Sequence, residues 1–342
     1  MSDYTRAIDH SDLPPVEKQR ALALIEGYVS QWKDYQPEVV EVEREFRVPI
    51  LGTGNPPRWE YVGKIDLLCR DEDGLILIEH KTKTGDVNKP HDPYYRKLDF
   101  DAQLSGYHLA QFAMGDPVVR TIYDVTRKIA SRPKVIPKGS EGALGTRSEI
   151  ETFGSYYGVE TLQKAAEGLT KEDDGLYGMR VAHEVSSDPE KYFFQYATTG
   201  RTKEQLVDTM GQLAHICLDI EYAEADGSWY QNTSNCLSYG SVCEYFDLCM
   251  GISQPDDPAK WQPRKGTGLS GNRTLSHSRA TCWQSCRRKA YWRYREKIEP
   301  IKPDSPALRF GRVFHLAQEA YWNWRKRCQQ PHQKRKQDSK DS

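Results

Sequence analysis

Three charged residues in one short stretch raise the first chemical question. In "GKIDLLCRDEDGLILIEHKTKTG", residues 63–85, one strand-like run carries Asp66. The turn signal "RDEDG" follows, and a second, strongly apolar run carries Glu79 and Lys81. Side chains alternate along a strand, so Glu79 and Lys81 share one face and His80 takes the other. A hairpin brings Asp66 beside them. Two carboxylates and an ammonium at the end of a buried apolar strand are costly unless paired or metal-bound. A divalent cation relieves the carboxylate repulsion, and Mg²⁺ favours one or two carboxylates with water and phosphate oxygens completing its shell. The lysine is then placed to position a water or to stabilise charge developing on a scissile phosphate. The bland alternative is a surface hairpin with solvated charges.

The next helical stretch adds Gln103 and Tyr107, four residues apart and therefore on one helical face. The order Asp, then Glu-x-Lys, then Gln-x-x-x-Tyr resembles the PD-(D/E)XK nuclease superfamily in its RecB-like branch, which includes CRISPR-adaptation exonucleases and many phage exonucleases. The resemblance implies an α/β restriction-endonuclease-like core, with a mixed central sheet flanked by helices. It implies Mg²⁺ or Mn²⁺ held by Asp66 and Glu79, with the carbonyl of His80 as a further ligand. It gives Lys81 the part of aiding the attacking water, and gives Gln103 and Tyr107 the part of orienting the site and the DNA.

A second group with chemistry is the thiols. The chain has eight cysteines, five of them between 236 and 286. Such clustering favours metal or iron–sulfur chemistry over scattered core thiols. Cys236, Cys243 and Cys249 follow a C-x6-C-x5-C pattern, and "LSHSRATCWQSCRRKAYWRY", residues 275–294, holds Cys282 and Cys286. That last segment resembles the family's "LSxSxxxxxxxCPRKxYYRY", with Cys286 on the family cysteine and Arg287 in place of the usual proline. The resemblance implies a [4Fe–4S] cluster on Cys236, Cys243, Cys249 and Cys286, with Cys282 a bystander. Thiolates suit zinc as well as iron, so zinc stands as the rival metal.

A single histidine completes the set. His315 lies in "LRFGRVFHLAQEAYW", residues 308–322, whose apolar spacing reads as a helix. In the family a glycine-x-x-x-histidine helix supplies a metal ligand, which places that part on His315. There, however, the cysteine segment and the histidine helix precede the carboxylate strands, whereas here they follow. The order resembles a circular permutation. It implies a nuclease core with the cysteine trio at 1–250, a linker at 251–274, the displaced N-terminal part at 275–325 and a basic disordered tail at 326–342. The alternative is that the last segment begins a truncated second copy. Termini that lie together on a domain surface make permutation physically reasonable.

These residues need positioning elements. An amphipathic helix is expected over 16–35, strands over 38–50, 58–69, 75–85 and 118–128, and helices over 98–115, 202–226 and 276–295. Residues 131–195 are rich in Gly, Ser, Lys and Glu and read as irregular, with a helix near "VETLQKAAEGL". The 342 residues suffice for one large domain or two ordinary ones, and 20 Tyr, 9 Phe and 8 Trp can supply a core. No run approaches a transmembrane span and the polar N-terminus is not a signal peptide, so a cytosolic protein is expected. A net charge of -1 leaves nucleic acid open, because a local basic groove suffices. Lys83, Arg127 and Lys128 are candidates for backbone contact, and aromatics around 230–246 for base stacking.

The function expected from these features is a metal-dependent DNA exonuclease acting on single-stranded or duplex ends, in phage or bacterial recombination, repair or CRISPR adaptation. The alternatives are a non-catalytic nucleic-acid-binding recombination accessory and a zinc-stapled structural protein.

Overall fold

A computed structural model describes residues 2–87, 93–135, 171–238, 240–266, 268–301 and 305–338. Its centre is a mixed sheet of β1 (Glu38–Pro49), β2 (Glu60–Asp71), β3 (Gly74–Lys83), β4 (Val118–Arg127) and β5 (Phe193–Thr199), in that spatial order. All neighbours are antiparallel except β3 and β4. A parallel pair needs a crossover, and helix α3 (Ala102–Ala113) supplies it. Its start is fixed by Asp101, whose carboxylate accepts a hydrogen bond from the Leu104 amide at 3.0 Å.

β3 explains why the sheet is central. Leu75 and Leu77 enter one core cluster, Ile76 and Ile78 the other, so the strand is apolar on both faces. On the first face lie α3, α5 (Lys203–Asp226) and α6 (His277–Ser285). On the second lie α2 (Pro15–Gln31), α4 (Asp174–Ser187) and α7 (Pro306–Asp338), with α1 (Asp3–Asp9) against α7. α5 is closed at one end by a Thr202–Gln205 capping box and at the other by Gly227 at φ 75°.

The last third of the chain is built into both layers. A sixth strand, Thr274–Leu275, pairs parallel with β2 at Glu60 and Tyr61. Trp283 and Leu275 are buried in the first layer, and Phe310, Phe314, Tyr321 and Trp322 in the second. Four expectations are corrected. The segment 251–274 is not structureless: Trp261–Pro263 pairs with Ile298–Pro300, and Trp261 stacks on Tyr245 at 5.6 Å. The helix expected over 276–295 breaks at Cys286, whose backbone is extended (φ -165°, ψ 117°). Residues 131–195 include α4 and the start of β5, while the helix expected near 159–169 lies outside the described residues. The tail expected to be disordered from 326 is helical through Asp338, because it docks. Gln329 accepts from the Val39 amide at 2.8 Å and donates to the Pro37 carbonyl at 3.0 Å, and Arg327 pairs with Asp3. Among the described residues no helix is long and apolar enough to cross a membrane.

Trp322 is fully buried, edge-on to Trp32 at 5.0 Å, and its indole N–H donates to the Tyr28 hydroxyl at 2.9 Å. Trp322→Ala is therefore expected to cost about 3–5 kcal/mol in urea unfolding, where a loss under about 1 kcal/mol would show that α7 is only loosely attached.

Candidate active site

The site grows from a fault shared by two strands. In β1, Val42 packs into the second core layer but Phe46 and Val48 into the first, although regular alternation would put all three on one face. In β2, Ile65 and Leu68 both enter the first layer, with Leu67 in the second. Each strand slips phase between these residues, and β1 has a separate bulge between Val39 and Glu41. The pairs Val42↔Leu67 and Arg44↔Ile65 are both kept, so the slips lie opposite each other, at Glu43 and Asp66. Glu43 takes up the change with φ 55°, a left-handed conformation uncommon for a non-glycine residue and typical of functional sites. The fault turns both carboxylates to one point.

His315 arrives there from α7. Its Nε2 lies 2.8 Å from Glu43 Oε1 and 3.9 Å from Asp66 Oδ1. Glu43, Asp66 and His315 are the one group of three or more His, Cys, Asp or Glu among the described residues whose ligand atoms lie within 4.8 Å of one another. Two carboxylates and an imidazole are a donor set for a divalent cation. Burial works against charge on both Glu43 and His315, but each overcomes it through the other: the His315 pKa is raised and the Glu43 pKa lowered, Glu43 with added help from a close ion pair to Lys64. Gly311, one turn before His315, faces Thr82, where an added Cβ would sit 3.4 Å from the hydroxyl, in ordinary contact.

Asp66 is held by β3, whose His80 amide donates to Asp66 Oδ2 at 3.0 Å. Glu79 lies on the same face and is buried, and its Oε1 is paired closely with the Lys81 ammonium. Burial, and then the nearby Asp66 charge, push the Glu79 pKa up to about 7. Its Oε2 is buried without a hydrogen-bond partner. Burial opposes the Lys81 charge, yet Glu79 outweighs it and the pKa is raised. Gln103 donates to the Tyr107 hydroxyl at 2.8 Å, and this pair faces the same carboxylates: burial and then Glu79 and Asp66 hold the phenol protonated. The His80 side chain takes the other face, with Nδ1 3.2 Å from Asp124 and its ring 6.0 Å from Tyr28.

The residues expected from the hairpin, the Gln–Tyr helix and the histidine helix thus surround one place. Glu43 was not among them, since nothing in "EVVEVEREF" distinguishes it from Glu41 or Glu45. Among the expected basic contacts, Lys128 donates to the Ala307 carbonyl at 2.8 Å, near the start of α7. Of the aromatics near 230–246, Tyr245 is buried under Trp261 and Tyr230 lies 4.6 Å beneath Arg287.

Cys236, Cys243, Cys249 and Cys286 line one cavity of about 400 Å³. The extended break at Cys286 brings the last of them in, with the Asn232 amide 3.4 Å from its Sγ. Cys282 points into the first core layer, where burial pushes its thiol up to about 11.

Residues 4–174 and 274–341 match the family model of the PD-(D/E)XK nuclease superfamily; these stretches are more than half of the chain, which belongs to that superfamily. They contain every residue of the carboxylate–lysine–histidine site, while Cys236, Cys243 and Cys249 fall outside them. No curated protein and no solved structure matches the chain.

Glu79 supplies a pH signature. Its folded pKa of about 7 exceeds the ordinary 4.5, so the folded state keeps a proton that the unfolded state releases, and stability falls as pH rises between those values. In chelator, Glu79→Gln is expected to lose this part of the pH dependence of the melting temperature. Parallel profiles for the two proteins would refute the shift.

Proposed function

We propose that the protein is a metal-dependent DNA exonuclease of the RecB-like branch, completed in cis by its own C-terminal segment in a permuted order. The observation that carries this reading is the meeting of His315 from α7 with Asp66 on β2, beside Glu79 and Lys81 on β3. Asp66, Glu43 and His315 would hold a Mg²⁺ or Mn²⁺ ion, with Glu79 and, by the family resemblance, the His80 carbonyl as further donors. The unpartnered, buried Glu79 Oε2 fits that use. When bound, the ion supplies Lewis-acid polarisation of the phosphate and lowers the pKa of a water. The residues do the rest. Lys81 holds its ammonium beside Glu79, where it orients the attacking water and meets charge developing on the phosphate. The water forms the new P–O bond as the bond to the leaving nucleotide oxygen breaks, the water's proton passing to solvent and the leaving oxygen taking one from solvent. Gln103 and Tyr107 fix the near edge of the substrate.

We further propose that Cys236, Cys243, Cys249 and Cys286 hold a [4Fe–4S] cluster. Their shared cavity supports this.

Lys81→Ala and Glu79→Gln are each expected to lower Mg²⁺- or Mn²⁺-dependent cleavage of end-labelled DNA by about 10²–10³-fold or more. Cluster-loaded wild type that cuts neither single-stranded nor duplex ends would overturn the nuclease reading. Protein purified without oxygen is expected to be brown, to lose iron and sulfide with Cys286→Ser and to keep them with Cys282→Ser. A colourless, zinc-loaded protein would overturn the cluster.

A further inference from the structure

Beyond Lys81, β3 carries one more cation on the same face. Alternation places Lys83 with Glu79 and Lys81, and the β3–β4 register runs regularly through all three. Lys83 is two residues further along, about 6.6 Å at the usual strand rise, a step comparable to consecutive phosphates in an extended nucleic-acid strand.

Past Lys83 lies an aromatic ring, partly packed on the first core layer, with two cations near it. Lys83 Nζ is 4.4 Å from the centroid of the Tyr94 ring and Lys97 Nζ is 4.7 Å from it. The Tyr94 hydroxyl lies 3.4 Å from that of Tyr123, the residue paired with Glu79 across the sheet. The ring therefore borders the site itself. One turn further, Phe100 is 85% exposed, the most exposed of the large apolar side chains among the described residues.

This edge is held in place. Tyr95 is fully buried, stacks on Tyr196 at 5.4 Å and donates to the Val87 carbonyl at 2.7 Å, so its neighbour Tyr94 stands on a fixed base. Arg201, between β5 and α5, donates to the Leu98 carbonyl at 2.7 Å and to the Ser105 hydroxyl at 3.0 Å, pinning the turn that bears Lys97 and Phe100.

We infer that Lys83, Tyr94, Lys97 and Phe100 form a track for a single DNA strand leading to the site, with the lysines on successive phosphates and the two rings stacking on bases. The inference rests on the nuclease reading for its substrate, and it adds that the strand approaches unpaired. Cations alone would take a duplex as readily. Rings that stack on bases need bases out of the helix, and such stacking tolerates any sequence.

Binding is measured by fluorescence anisotropy in a Glu79→Gln background and in chelator, where hydrolysis is suppressed, with a labelled oligothymidine strand and a blunt hairpin duplex as probes. Phe100→Ala and Tyr94→Ala are expected to weaken binding of the single strand by about tenfold each, with little effect on the duplex. Lys83→Gln and Lys97→Gln are expected each to flatten the dependence of log Kd on log salt by about 0.7 for the single strand. Single-strand binding that is absent, or unchanged in Phe100→Ala and Lys97→Gln, overturns the track. So do equal losses on strand and duplex from the ring variants. Wild-type cleavage is scored separately: protein that binds as expected yet cuts nothing refutes the nuclease reading and leaves the track standing.

Discussion

Negative charge kept from water is the constraint on which the rest of the structure depends. Glu43, Asp66 and Glu79 come from three strands and end within one small region, where burial and the Asp66 charge raise the cost of ionising Glu79. Such a group survives only with positive charge delivered to it. Lys64 and His315 serve Glu43, Lys81 serves Glu79, and the His80 amide and His315 serve Asp66. The partners come from the strands themselves and from a helix more than two hundred residues away. The sheet has to bring the strands into register and α7 has to lie across them. The two core layers therefore serve the electrostatics as much as they serve stability.

The delivery of His315 shows how this is done. α7 is fixed at several points along its length. Near the site, Phe310 and Phe314 enter the second layer; further on, Trp322 reaches Tyr28, which interacts with the same Asp124 that holds the His80 ring. Beyond that, Gln329 seals the end of β1. A histidine one turn from a free end would wander. One with fixed points on both sides keeps its ring to a fraction of an ångström, which is the tolerance a metal-binding group requires.

Sequence reasoning reached the parts of the site whose geometry is covalent. Glu79 and Lys81 are two residues apart on a strand, Gln103 and Tyr107 four apart on a helix, and nothing distant can change those relations. His315 became legible only through the family's motif order, since a lone histidine on an amphipathic helix has no local mark of its function. Glu43 was not legible at all. Its strand offers four glutamates, and the one that matters is selected by a slip in phase that the packing of Val42 against one layer and Phe46 against the other imposes. The helical end of the chain was hidden for a similar reason: its basic composition suggests solvation, while its order comes from hydrogen bonds to β1. α4 escaped detection because its buried ion pair, Arg180 with Glu172, puts charge where a helix reading expects apolar residues.

The paired slip at Glu43 and Asp66 also limits how the gene can change. Losing or gaining one residue between Val42 and Phe46 would restore or double the slip in β1 alone, sending Phe46 and Val48 to the wrong layer and parting Glu43 from Asp66. Only a matching change in β2 would mend it. The strand lengths on either side of this hairpin are thus locked to each other, while the connection between them, closed by the Ile50 amide on the Trp59 carbonyl, has no partner strand whose phase it must match. Length variation among descendants of this chain should collect in that connection and avoid the strands.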